Sequence, residues 1–155
     1  MLGSEADSRV LVDTKDFDIA ELHGWLKAND GAHGALVTFT GMVRDLTDSA
    51  IERLYLEHYP GMTEKALHNI IAQARSRWSL GCVAVYHRVG ALEAGDNIVF
   101  VGVSSAHRKE AFDAAQFLMD YLKRDAPFWK KEVSAEGENW VAQKESDMEA
   151  AERWD

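Results

Sequence analysis

The chain has 155 residues, of which 46% are hydrophobic, and a formal net charge of -9. That length suits one domain, residues 1–155, with a real core. The acidic balance argues against a general nucleic-acid surface, which needs a basic excess. One cysteine, Cys82, rules out an internal disulfide and fits a reducing compartment. No apolar run nears the ~20 residues that span a bilayer. Met1–Asp7 lacks the basic-then-apolar pattern of a signal peptide. The expectation is a soluble cytoplasmic protein.

Val10–Val12 reads as a short first strand. Asp18 with Glu21 resembles a capping box, and Ile19, Leu22, Trp25 and Leu26 follow at helical spacing. Gly31 and Gly34 end that helix. Ala35–Val43 is β-branched and aromatic and predicts a strand. A polar loop, Arg44–Ala50, leads to a strand at Ile51–His58 in which Leu54 and Leu56 alternate with Tyr55 and Glu57. Pro60–Gly61 turns into a helix over Met62–Trp78, whose apolar face is Leu67, Ile70, Ile71, Ala74 and Trp78. Cys82–Val89 predicts a third strand and Ile98–Val103 a central, almost wholly apolar fourth. A helix follows from His107 to Arg124, with Ser104 and Ser105 available to cap it. Its apolar stripe is Ala111, Phe112, Ala115, Leu118, Met119 and Leu122. Pro127 ends it, because the residue before proline avoids the α region. Lys131–Val133 reads as a last strand, and Ser146 with Glu149 as a capped helical turn. Strands and helices mix without a strict βαβ repeat, so the fold class is α+β.

Charge concentrates in one place. The segment Ser104–Lys131 carries six Lys or Arg residues and His107 in an otherwise acidic protein. A helix N-terminus presents free N–H groups and a positive dipole end, and so suits a phosphate. His107 and Arg108 add cations there. An ordinary alternative is a solvated Arg108 paired with Glu110 or Asp113. Lys123 lies at the edge of the apolar stripe, where partial desolvation lowers a lysine pKa and makes it usable in proton transfer or attack. Its ordinary alternative is a snorkelling lysine. Lys130 follows after Phe128 and Trp129. Arg44 closes the candidate cations, with a guanidinium fork suited to phosphate or carboxylate. Cys82 sits in an apolar strand and reads as a buried, inert thiol. The six histidines show no metal-ligand spacing. The residues alone therefore point to an anionic small molecule and reactive lysines, with no metal and no cofactor.

Several blocks carry a family resemblance. They are Val37–Arg44, Leu56–Met62, Val89–Gly90, Val101–Arg108, Met119–Lys123 and Ala126–Lys130. In order, from about Gly34 to Trp154, they resemble the large, catalytic subunit of molybdopterin synthase, the MoaE family. The resemblance implies a single α/β hammerhead domain with a mostly antiparallel sheet and packed helices. It implies a homodimer that binds two copies of a small ubiquitin-like sulfur carrier, giving a heterotetramer. The carrier's Gly-Gly C-terminus, as a thiocarboxylate, enters the large subunit's pocket. The substrate is cyclic pyranopterin monophosphate and the product the dithiolene of molybdopterin. By resemblance Lys123 is the catalytic lysine, with Lys130 beside it. Arg44, His107 and Arg108 bind the substrate's phosphate and pterin, Phe39 and Met119 line the site, and Lys144 is a nearby basic residue. Met42 stands where some relatives have lysine.

The chemistry agrees with these residue types. Cations stabilise phosphate and developing negative charge, and a lysine can move protons. No thiol of the enzyme is needed, because sulfur arrives on the partner. The alternative is a non-catalytic anion-binding or carrier-docking module, which would bind without turnover. A single-strand RNA binder stacking bases on Phe39, Phe128 and Trp129 is disfavoured by the charge of -9.

Overall fold

The computed structural model describes residues 7–27, 31–44, 51–134, 137–141 and 145–155. In chain order these form β1 (Ser8–Asp13), α1 (Ile19–Lys27), β2 (Ala35–Met42), β3 (Ile51–His58), α2 (Met62–Arg77) and β4 (Leu80–Arg88). The chain continues through β5 (Gly90–Leu92), β6 (Asn97–Ser105), α3 (Arg108–Asp125), β7 (Phe128–Ser134), β8 (Gly137–Val141) and α4 (Glu145–Glu152). The strands make two four-stranded sheets, ordered β1-β4-β6-β2 and β5-β3-β7-β8. β1 pairs with β4 in parallel. The other pairings are antiparallel. This is the α+β fold that the sequence predicts, divided between two sheets. No helix of the described residues is long and apolar enough to cross a membrane.

β6 explains its own composition. Val99, Val101 and Val103 face α2 and α3, and Phe100 faces α1 with Leu22 and Leu26. Both faces are covered, so both alternating sets are apolar. α1 lies so close to the strand that a Cβ at Gly102 would collide with Leu26. α1 starts as expected: the Glu21 N–H donates to Asp18 Oδ1 at 3.1 Å. Glu21 itself turns to Arg9, at 2.8 Å, rather than back to the cap.

α3 departs from its predicted stripe. Its buried face is Ala111, Ala114, Ala115, Phe117, Leu118, Asp120, Tyr121 and Leu122. Phe112, predicted to be apolar core, is 61% exposed. The stripe is rotated because α2 and the C-terminal chain cover the Phe117 side. There Phe117 meets Trp78 and Trp154 edge-on, at centroid distances of 5.5 and 5.7 Å. Ser104 and Ser105 do not cap the helix. They end β6, both buried, and their hydroxyls serve neighbouring strands and turns. Ser104 Oγ accepts from the Cys82 N–H at 2.8 Å, and Ser105 Oγ donates to the Ser79 carbonyl at 3.0 Å. His107 takes the N-cap position without a side-chain cap bond.

The C-terminal residues are fastened to the last turns of α3. Trp154 Nε1 and an Arg153 guanidinium N–H both donate to the buried Asp120 carboxylate, at 2.7 and 2.9 Å. Tyr121 O–H donates to Asp155 at 2.7 Å. At the other end of the chain, the Arg75 guanidinium gathers the Asp7, Leu80 and Gly81 carbonyls and the Ser8 hydroxyl, which joins α2 to β1 and β4.

Candidate active site

α3 stops where the sequence says it should. The Ala126 N–H closes the last turn on the Leu122 carbonyl at 3.2 Å, and the chain leaves through Pro127 into β7. Thr63, fully buried at the start of α2, holds this exit. Its hydroxyl donates to the Pro127 carbonyl at 3.0 Å and accepts from the Tyr59 N–H at 2.9 Å. β7 then pairs with β3 so that Lys130 stands opposite Leu56 and Phe128 opposite His58.

This path borders a half-open cavity of about 600 Å³. Leu54 and Leu56 of β3, Phe128 and Lys130 of β7 and Val141 of β8 form one wall. The end of α3 forms another, with Leu122, Lys123, Arg124 and Ala126. His87 of β4, Ile98 of β6, Trp129 and Asp147 of α4 complete it. Helix end, proline turn and strand thus bring Lys123 and Lys130 to one space lined by both apolar and polar side chains. Lys123 is exposed there, whereas its place at the edge of the stripe predicts partial desolvation, and Lys130 is half-buried; positive charge at both positions can stabilise a bound anion.

Arg124 has a different occupation. It pairs with Asp125 at 2.7 Å and Asp155 at 3.3 Å, and lies 4.5 Å over the Tyr121 ring. The Asp125 hydrogen bond leads the influences that hold its pKa above the usual arginine value. It is a structural cation at the cavity's edge.

His87 is the polar side chain that sequence reasoning missed. It is 5% exposed. Its ring stacks on Phe128 at 3.9 Å and 20°, and Nδ1 lies 2.7 Å from the Arg88 carbonyl, to which it donates. Burial lowers its pKa to about 4, helped by the positive charges of Lys123 and His58 and opposed by the Arg88 carbonyl. A signal existed in the sequence. Val83, Val85 and His87 alternate along β4 on one buried face, and the histidine carries that face out of the core into the cavity.

This burial makes a stability prediction. The folded pKa lies below the unfolded value near 6.5, so only the unfolded chain binds the proton between them. His87 therefore makes the protein lose stability as pH falls from about 6.5 toward 4, by up to about 3 kcal/mol. Urea unfolding at stepped pH is expected to show this loss in the wild type and a shallower one in His87→Gln. Parallel curves would refute it.

The other predicted site residues lie elsewhere on the single chain. Met119 is half-buried one turn before Lys123. Phe39, 44% exposed, sits on β2 opposite Val101, on the face toward α3. Arg44 is exposed just beyond Val43, whose N–H and carbonyl bond Asp96 and Gly95. His107 and Arg108 are exposed at the far end of α3. At 1.5 Å per residue, Arg108 and Lys123 are about 22 Å apart along the helix. Lys144 and residues 45–50 lie outside the described residues.

A family model described as MoaE protein matches residues 12–125. The chain belongs to the MoaE family. The molybdopterin synthase catalytic subunit of Salmonella typhimurium is 58% identical to this MoaE-family chain, over 96% of it and 99% of the relative. That of Escherichia coli is 56% identical, with the same coverage. Among solved structures, molybdopterin cofactor biosynthesis protein E from Burkholderia multivorans matches with a TM-score of 0.82 at 48% identity, over 95% of this chain and 96% of that one. Molybdopterin synthase from Staphylococcus aureus matches at 0.78 and 30%, over 88% and 97%. The MoaE-family fold therefore extends across both sheets and the cavity between them.

Proposed function

We propose that this chain is the catalytic subunit of a molybdopterin synthase. It moves sulfur from the C-terminal thiocarboxylate of a small ubiquitin-like carrier to cyclic pyranopterin monophosphate, forming the dithiolene of molybdopterin. The observation that carries the reading is the cavity of about 600 Å³ holding Lys123 and Lys130, in a chain 58% identical over nearly its full length to a catalytic subunit of that name.

In this reading the apolar walls of Leu54, Leu56 and Phe128 receive the carrier's glycine tail. Lys123 stabilises the negative charge that develops as carbon–sulfur bonds form and break, and Lys130 supports it. Arg44, His107, Arg108 and Lys144 bind the phosphate and pterin, with Phe39 and Met119 beside them. A substrate of this size does not span the 18-residue α3 from Arg108 to Lys123. The homodimer answers this: His107 and Arg108 of one copy serve the cavity of the other. The same proposal places the protein in the cytoplasm, where its one cysteine stays a thiol.

The test is direct. Purified protein, thiocarboxylated carrier and cyclic pyranopterin monophosphate are mixed and assayed by mass for dithiolene product. Product at a stoichiometry of two carriers per substrate is expected. Binding of both without product would make the chain a docking module instead.

A further inference from the structure

The roles above leave one buried cavity group unused. Among the cavity's lining side chains, Lys123, Arg124 and Lys130 are cationic donors, and Trp129 is a donor only. Among the described residues of the lining, His87 and Asp147 are the side chains that can accept a proton there. Asp147 is half-exposed on α4, whereas His87 is 5% exposed and fixed twice, by Phe128 against its ring and by Arg88 at Nδ1. With the proton on Nδ1, the lone pair is on Nε2. Lys123 from α3 and His58 from β3 act on the ring electrostatically, Lys130 from β7 lines the same cavity, and burial keeps the ring neutral, in the accepting form.

The proposed reaction requires such an acceptor. The carrier arrives with a carbon–sulfur bond and leaves with a carbon–oxygen bond, so an oxygen must attack its terminal carbonyl. We propose that His87 Nε2 is the catalytic base that takes the proton of this attacking water; the inference rests on the sulfur-transfer reading. Once sulfur has bonded to the substrate, carrier and substrate are joined as a thioester. Water oxygen bonds to the thioester carbon while Nε2 takes its proton. The Lys123 ammonium stabilises the resulting oxyanion. The carbon–sulfur bond to the carrier then breaks, and the imidazolium returns its proton to the departing sulfur. Thioester and water become carboxylic acid and thiol, with no change of oxidation state. The anionic substrate and tail raise the imidazole pKa as they enter, which strengthens the base when it is needed.

The experiment is a single turnover of wild type and His87→Gln with thiocarboxylated carrier and cyclic pyranopterin monophosphate, quenched in time and read by intact mass. The expected result is that His87→Gln forms the carrier–substrate adduct at the wild-type rate and releases it about 10²–10⁴-fold more slowly. His87→Ala with added imidazole is the second variant, and imidazole is expected to restore release. Carrier affinity and melting temperature identify folded protein. Release at the wild-type rate in His87→Gln overturns the proposal. So does adduct formation slowed by the same factor as release. Absence of product from the wild type would overturn the sulfur-transfer reading instead.

Discussion

Lys123→Ala is expected to lower dithiolene formation by about 10³-fold or more while leaving the melting temperature within about 2 °C of wild type. The side chain is exposed to the cavity and not buried in the core, so its loss opens no packing defect. What disappears is the cation at the end of α3 to which the proposed reaction assigns oxyanion stabilisation. Lys123→Arg keeps the charge but spreads it over a planar fork on a different stem, so it is expected to recover only part of the rate. The measurement is a steady-state assay of product with saturating thiocarboxylated carrier, alongside a titration of carrier binding. Turnover within tenfold of wild type in Lys123→Ala would remove this residue from the mechanism. A loss of carrier binding equal to the loss of rate would assign it to docking.

Phe117→Ala is expected to cost about 4 kcal/mol of stability, which corresponds to a fall of roughly 8–16 °C in melting temperature. Phe117 is fully buried. Its ring contacts Trp78, Trp154 and Tyr121, and the Arg77 guanidinium lies 4.8 Å over it. Removing it leaves a cavity where α2, α3 and the C-terminal residues meet, and the rigid indoles on either side cannot collapse into it. Urea unfolding checks the value. A cost under 1 kcal/mol would mean that the three elements close over the gap. Activity is expected to fall less than stability at low temperature, because Phe117 is not on the cavity wall.

Much of the fold was readable wherever a long period met a clear boundary. β3 runs from Ile51 to His58 as its alternation predicts, and α2 runs from Met62 to Arg77, one residue short of the predicted end. β5 and β8 escaped because three residues show no period, and Gly137–Val141 is a polar edge strand held by pairing with β7. Sequence periodicity also carries no information on partners, so it did not reveal that the strands divide into two sheets. Phe112 departs from its expected burial for a related reason. A helical stripe gives the width of an apolar face but not its rotation, which here is set by Trp78 and Trp154 arriving from distant parts of the chain. At the site, the proline turn announces that Lys123 and Lys130 flank one bend. His87 looked like one more residue of a buried strand, because only tertiary structure shows where β4 leaves the core.

The parallel ladder between β1 and β4 sets a kinetic condition on the molecule. Ser8 lies beside Val83 and Asp13 beside Arg88, so β1 closes a loop that contains α1, β2, β3 and α2. Loop closure of that length is slow relative to hairpin formation, and it yields contacts only once β4 is already in place against β6. The Arg75 guanidinium ties β1 to β4 through five hydrogen bonds, two to the Ser8 hydroxyl and three to the Asp7, Leu80 and Gly81 carbonyls, and can complete the set only when β1 is in place. β1 thus covers a strand edge that β4, paired on its other side with β6, would otherwise present to other chains.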